Sequence, residues 1–210
     1  YEDACHAAEH GDIKNFRKMP AKELWKKMLK VLFETSHPWN TFKDPCNIRY
    51  TNQHEGAVRS SNLCTEITLH TKPSEYKNGE KTKIGETAVC NLGSINVLNH
   101  LDESGEIDFD KLRCSIHTAI RMLDNVIDIN FYPTKESSNS NLRNRPIGLG
   151  VMGIHDVLHV KNIKIDSDEA VEWNNYFFEF YSREAILASS KLAEERGSYE
   201  NYEGSLWSQN

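Results

Sequence analysis

The sequence predicts an α/β fold. Three observations carry it: a mostly apolar, small-residue run of strand length from Thr87 to Val97, a glycine-bearing run from Arg145 to Gly153, and amphipathic helical patterns between and after them. Strand, helix, strand, helix, helix is the order expected of a sheet covered by helices. No internal repeat or coiled-coil heptad is present, and 210 residues suit one domain or a large piece of a bigger one.

The elements follow in order. Residues 20–36 (PAKELWKKMLKVLFETS) place Leu24, Trp25, Met28, Leu29, Leu32 and Phe33 on one helical stripe with lysines opposite. Pro20 suits the first turn, and His37-Pro38 ends the helix because a residue before proline avoids helical backbone. Residues 38–61 read as irregular or extended, with turn formers at Asp44-Pro45 and a polar stretch from Thr51 to Gly56. A polar turn region follows at 71–85, around Asn78-Gly79, and then the strand at 87–97. The next helix spans about 108–130, with Phe109, Leu112, Ile116, Ala119, Ile120, Leu123, Val126 and Ile127 on one face. Pro133 and the Ser/Asn-rich 137–141 break it. Residues 145–153 read as a short strand with close packing at its glycines, continuing into a helix to about 160. The last helix is capped by Asp166 or Ser167, carries Asp168 and Glu169 in its first turn, and stops at Gly197. Val171, Phe177, Phe178, Tyr181, Ala185, Leu187, Ala188 and Leu192 supply its apolar positions.

Composition excludes several classes. Lys+Arg number 25 against 31 Asp+Glu, a net charge of −6, with no basic run to neutralise nucleic-acid phosphates. No apolar stretch approaches the ~20 residues of a bilayer span, and Tyr1-Glu-Asp-Ala-Cys5 lacks the features of a signal peptide. The expected setting is the cytoplasm, with the five cysteines reduced. No CxxC pair occurs among Cys5, Cys46, Cys64, Cys90 and Cys114, so no metal site is expected. The chain opens on Tyr1 and closes on Ser205-Leu-Trp-Ser-Gln-Asn210, which reads as a segment of something longer.

Ser61-Asn62-Leu63-Cys64-Thr65-Glu66-Ile67 carries the chemistry. In an extended chain alternate residues share a face, so Asn62, Cys64 and Glu66 would present an amide, a thiol and a carboxylate in a row. An ordinary strand with a buried cysteine has the same pattern. Cys90, with Ala88 and Leu92 on its face, reads as a core cysteine of a buried strand. Gly148-Leu-Gly150-Val-Met-Gly153 fits GxGxxG, but the acidic residue of a dinucleotide site is missing from a following strand. Cys5, His6 and His10 could gather on one helix face, which reads better as plain surface. Cys46 and Cys114 have no partner that sequence can name.

The strings SNLCTEI (61–67), AVCNLGSINV (88–97), RPIGLGVMG (145–153) and GSYENYEGS (197–205), with TSHPWNTFKDPCN (35–47) upstream, together resemble the large catalytic subunit of class I ribonucleoside-diphosphate reductases. The likeness runs along essentially the whole chain. It implies part of a ten-stranded α/β barrel: a helical and irregular lead at 1–60, a finger loop at 61–70, and the start of the second half-barrel at 86–210. By the same resemblance Cys64 is the thiyl-radical cysteine that removes the ribose 3′ hydrogen, and Glu66 deprotonates the 3′ hydroxyl. Asn62 hydrogen-bonds the sugar, and Leu63 lines the substrate site with Asn62, Cys64 and Glu66. Cys90 is one of a redox cysteine pair on the strand after the finger, its partner lying outside this chain. Leu63 and Ile67 are the apolar neighbours that keep water away. The implied partners are the remaining segments of the large subunit, a small radical-generating subunit that holds the metallocofactor, a ribonucleoside diphosphate, and thioredoxin or glutaredoxin. ATP and dNTP effectors would bind other parts of the subunit, leaving no cofactor in this chain. Two alternatives stand beside this: a catalytically dead fragment that only associates with other pieces, and a cobalamin-dependent or glycyl-radical reductase.

Overall fold

The computed structural model describes residues 2–209 and divides into two compact units, 1–41 and 42–210. Residues 42–60 fall in the same unit as the finger loop at 61–70.

The first unit holds α1 (Glu2–Glu9) and α2 (Ala21–Thr35). α2 matches the apolar stripe, but no residue in it is buried and Phe33 is 93% exposed. Ser36 closes it in a left-handed conformation, its N–H bonded to the Leu32 carbonyl at 2.8 Å. The second unit opens with α3 (Lys43–Arg49), where the sequence suggested irregular chain. Asp44-Pro45 sits in its first turn, where a missing N–H costs nothing, so these turn formers start a helix.

The polar region at 71–85 folds as a hairpin of β1 (Glu75–Lys77) and β2 (Glu80–Lys83). Asn78 and Gly79 both have positive φ (53° and 84°), the backbone that matches the twist of a two-residue hairpin. The strand expected from Thr87 starts later, as β3 (Leu92–Asn96), and a 3₁₀ turn follows at Val97–His100. α4 (Phe109–Ile129) starts where the Asp108 carboxylate accepts from the Lys111 N–H. α5 (Lys135–Asn144) corrects the expected break at 137–141. Thr134 caps it, and Asn139 and Asn141, poor helix formers alone, are engaged by tertiary hydrogen bonds. Asn91 Nδ2 donates to Asn141 Oδ1 (2.7 Å), and Asn139 Nδ2 donates to the Gly85 carbonyl (3.0 Å).

β4 (Gly148–Met152) pairs with β3 in parallel, Leu92 opposite Gly148 through Asn96 opposite Met152. A parallel pair needs a long crossover, and α4 and α5 supply it. A Cβ at Gly148 would sit 2.7 Å from Leu92 Cδ2, so a larger residue there would push that half-exposed side chain aside. Gly153, at φ +82°, starts α6 (Ile154–Val160). α7 (Asp168–Arg196) runs from a Ser167 cap to Gly197, as expected. Its Phe177, Tyr181, Ala188 and Leu192 pack with Leu112, Ile116 and Ile120 of α4 against Ile95 and Val97, forming the core. Tyr181 Oη donates to the Gly150 carbonyl (2.9 Å), tying α7 to β4, and burial pushes its phenol up to about 12. Val171 and Leu187, also expected on the apolar face, are exposed. Among the described residues no helix is long and apolar enough to cross a membrane.

Candidate active site

The finger is a closed loop and not the extended strand that alternation suggested. An antiparallel bridge between Val58 and His70 marks its base. Near the tip, Thr65 (φ 67°) donates its N–H to the Asn62 carbonyl (3.2 Å), and the Asn62 N–H reaches the Ile67 carbonyl (3.3 Å). The Asn62 side chain latches the turn. Its Oδ1 accepts from the Ile67 N–H (3.0 Å), and its Nδ2 donates to Glu66 Oε1 (2.5 Å). The amide and carboxylate are thus brought together by a turn, not by alternation along a strand.

Cys64 is exposed at the tip, next to Leu63, which is 92% exposed. Leu63 therefore does not pack as the apolar neighbour expected of it in this chain, while Ile67 does. A Cβ placed on Gly148 would lie 3.7 Å from Ile67 Cδ1. Cys90 also departs from expectation: it lies in irregular chain before β3, not in a buried strand, and its thiol is free and exposed. Leu92, on the face assigned to it, is 49% exposed. β3 pairs with β4 alone among the described strands. The chain leaving the finger meets the chain leading to Cys90 at an isolated antiparallel bridge of Lys72 and Glu86, so Glu66 and Cys90 themselves are joined by no ladder.

They meet nonetheless. Glu66, Ile67, Cys90, Leu92, Ile147 and Gly148 line one cleft of about 130 Å³. Partial burial, and then the negative charge of Glu66, push the Cys90 thiol above its ordinary range. A carboxylate and a neutral thiol on the walls of one small cleft can move a proton and supply a hydrogen to the same bound group.

Sequence reasoning missed the cluster beneath the finger. His70 and Glu86 are each only 2% exposed, and His70 Nε2 donates to Glu86 Oε2 at 2.8 Å. Tyr50 Oη accepts from the His70 backbone N–H (3.5 Å) and donates to Nδ1 (2.5 Å), which leaves the ring proton on Nε2. Burial, outweighing the nearby Glu86, lowers the His70 pKa, in keeping with a neutral ring. Burial likewise raises Tyr50 to about 12. Glu86 also accepts from Arg143 Nη1 (2.5 Å) and Asn144 Nδ2 (2.9 Å). Lys72 bonds Glu55 and lies 3.6 Å from Glu86.

The string at 197–205 enters the same cluster. Arg143 donates to Glu200 and Asn201, Asn201 donates to Asn144, and Tyr199 Oη donates to Asn52 (2.8 Å). No local pattern announces this assembly, because its members come from residues 50 to 201.

Among the described residues, Glu55, His70 and Glu86 bring three donor atoms within 4.8 Å of one another. Lys72 and Arg143 already neutralise both carboxylates, so the group needs no cation. Cys5 and His6 lie exposed on α1 and His10 in the turn that follows it, the two rings 6.2 Å apart.

The chain matches the ribonucleotide reductase barrel domain over residues 2–210 and belongs to that family. Its strands and helices are an α/β fragment of that barrel. It is 52% identical over 207 residues, 99% of this chain, to the ribonucleoside-diphosphate reductase subunit alpha of Chlamydia trachomatis, and covers 19% of that protein. It is 40% identical over 208 residues to the large chain from Neurospora crassa, covering 99% of this chain and 21% of that one. Identity is also 40% over 185 residues to the large subunit of Monkeypox virus, covering 88% of this chain and 22% of the relative. The chain thus spans about one-fifth of the length of these relatives.

Proposed function

We propose that this chain is the finger-bearing segment of a ribonucleoside-diphosphate reductase large subunit, and that it reduces the ribose of a ribonucleoside diphosphate with the rest of that subunit. The observation that carries the reading is the shared cleft of Glu66 and Cys90, two residues 24 positions apart whose side chains the proposed chemistry requires at one sugar.

The steps are as follows. A Cys64 thiyl radical takes the hydrogen from C3′, becoming a thiol and leaving a carbon radical. Glu66 removes the proton of the 3′ hydroxyl, held in place by Asn62, whose amide already reaches the carboxylate. The 2′ hydroxyl takes one thiol proton from the pair formed by Cys90 and a partner cysteine outside this chain, and leaves as water. That pair supplies two electrons and becomes a disulfide, its second hydrogen going to C2′, while Glu66 returns its proton to the 3′ oxygen. Cys64 then returns a hydrogen to C3′ and is again a radical, so one dithiol is oxidised per sugar reduced. The exposed Leu63 and Cys64 at the finger tip are in keeping with a loop that projects into a surround made by other parts of the subunit. The small subunit, with its metallocofactor, would generate the radical. Thioredoxin or glutaredoxin would re-reduce the disulfide, and ATP and dNTP would act elsewhere on the large subunit.

The test is CDP reduction by this chain with the complementary large-subunit segments, the small subunit, ATP and dithiothreitol. Turnover that disappears in both Cys64→Ser and Cys90→Ser supports the reading. A stable complex with no turnover would instead favour a fragment that only associates, and turnover surviving Cys64→Ser would overturn the assigned role.

A further inference from the structure

The cluster of Tyr50, His70 and Glu86 takes no part in those steps, yet it joins the two strands of chain that carry them. His70 is the post at the C-terminal base of the finger, four residues after Glu66 and bridged to Val58. Glu86 stands four residues before Cys90. A pair of backbone hydrogen bonds between Lys72 and Glu86 (3.0 and 2.8 Å) sets the two segments side by side, and the buried His70–Glu86 bond locks them. Arg143 and Asn144 hold Glu86 from α5, and Tyr50 holds the ring from the chain after α3. Beyond this base the finger tip is held mainly by its own turn, while Cys90 lies in irregular chain. The relative position of Glu66 and Cys90 therefore depends on what is fixed at their roots.

The geometry points to His70 and Glu86 as positioning residues that set how the Glu66 carboxylate faces the Cys90 thiol. This rests on the reading above that these two groups serve one sugar. A displacement of about 1 Å at such a site can cost on the order of a hundredfold in rate, so a buried clamp two side chains deep has a large effect at the cleft.

The test measures the juxtaposition directly, without turnover. The full 210-residue chain is made with Cys5, Cys46, Cys64 and Cys114 changed to Ser and with Glu66→Cys, and closure of a disulfide between position 66 and Cys90 under diamide is timed. His70→Leu is expected to slow closure about tenfold or more, and Tyr50→Phe several-fold. His70→Gln, whose amide can donate to Glu86 and accept from Tyr50, is expected to stay within about twofold of the parent. A His70→Leu chain that melts like the parent and closes at the parent rate overturns the proposal. If His70→Leu does not fold, an unchanged rate in Tyr50→Phe overturns it. Slowed closure together with no turnover in the assembled subunit would keep the clamp and remove the catalytic reading, so the two failures are distinct.

Discussion

Changing Glu86 to Gln alters one atom in a cluster whose donors are all accounted for. Oε2 accepts from His70 Nε2 (2.8 Å) and Asn144 Nδ2 (2.9 Å), while Oε1 accepts from Arg143 Nη1 (2.5 Å) and faces Lys72 at 3.6 Å. Either orientation of the new amide turns an NH₂ toward existing donors. If it replaces Oε2 two bonds are lost, and if it replaces Oε1 the Arg143 contact becomes repulsive. Charge-assisted bonds contribute about 1.5–3 kcal/mol each, and removing one partner of a buried ion pair costs about 3–5 kcal/mol. Arg143 keeps Glu200 and Asn201, Lys72 keeps Glu55, and both cations are partly solvated, which places the cost near the lower end. We expect Glu86→Gln to destabilise the chain by about 2–4 kcal/mol. At a urea dependence of about 2 kcal/mol/M, the middle of the usual range, the midpoint followed by circular dichroism falls by about 1–2 M. A midpoint within about 0.3 M of the parent at unchanged slope would refute the donor accounting.

Other outcomes follow from the same structure. Phe177→Ala, which removes a buried ring stacked on Trp173 at 5.1 Å, should cost about 3–5 kcal/mol in urea melts. Because the His70 pKa lies below its unfolded value, the unfolded chain binds the extra proton. Stability present above about pH 6.5 is then lost as the pH falls through the folded value. His70→Gln should flatten that limb of a stability-against-pH curve. Glu66→Gln removes the negative charge that raises the Cys90 thiol, so Cys90 should alkylate faster with iodoacetamide near pH 8, as read by peptide mass. An unchanged rate would place Glu66 away from that thiol.

α4 and α7 were legible because local and tertiary preferences agree there. Asp108 and Ser167 cap them, a 3.6-residue stripe faces the core, and Gly197 ends α7. α5 was not legible, since Asn139 and Asn141 are engaged by partners far along the chain, at Gly85 and Asn91. β3 begins five residues later than its apolar run; just before it, Asn91 takes the Gly148 N–H on its carbonyl while its side chain donates to the Pro146 carbonyl and Asn141. The finger misled for a different reason. Period-two alternation at 62–66 also suits a turn when a residue such as Thr65 takes positive φ and an asparagine latches both ends. The site residues Asn62, Cys64, Glu66 and Cys90 came from motif resemblance, and the cleft joining Glu66 to Cys90 came from the fold. The His70–Glu86 clamp had no motif to show it, because burial and not spacing makes it.

The central claim is that the Cys64 sulfur takes the hydrogen from C3′. Turnover of CDP deuterated at C3′ by the assembled subunit tests it most directly. A slower rate than with unlabelled CDP, together with no turnover in Cys64→Ser, is the result expected. Equal rates for the two substrates, with turnover persisting in Cys64→Ser, would contradict it.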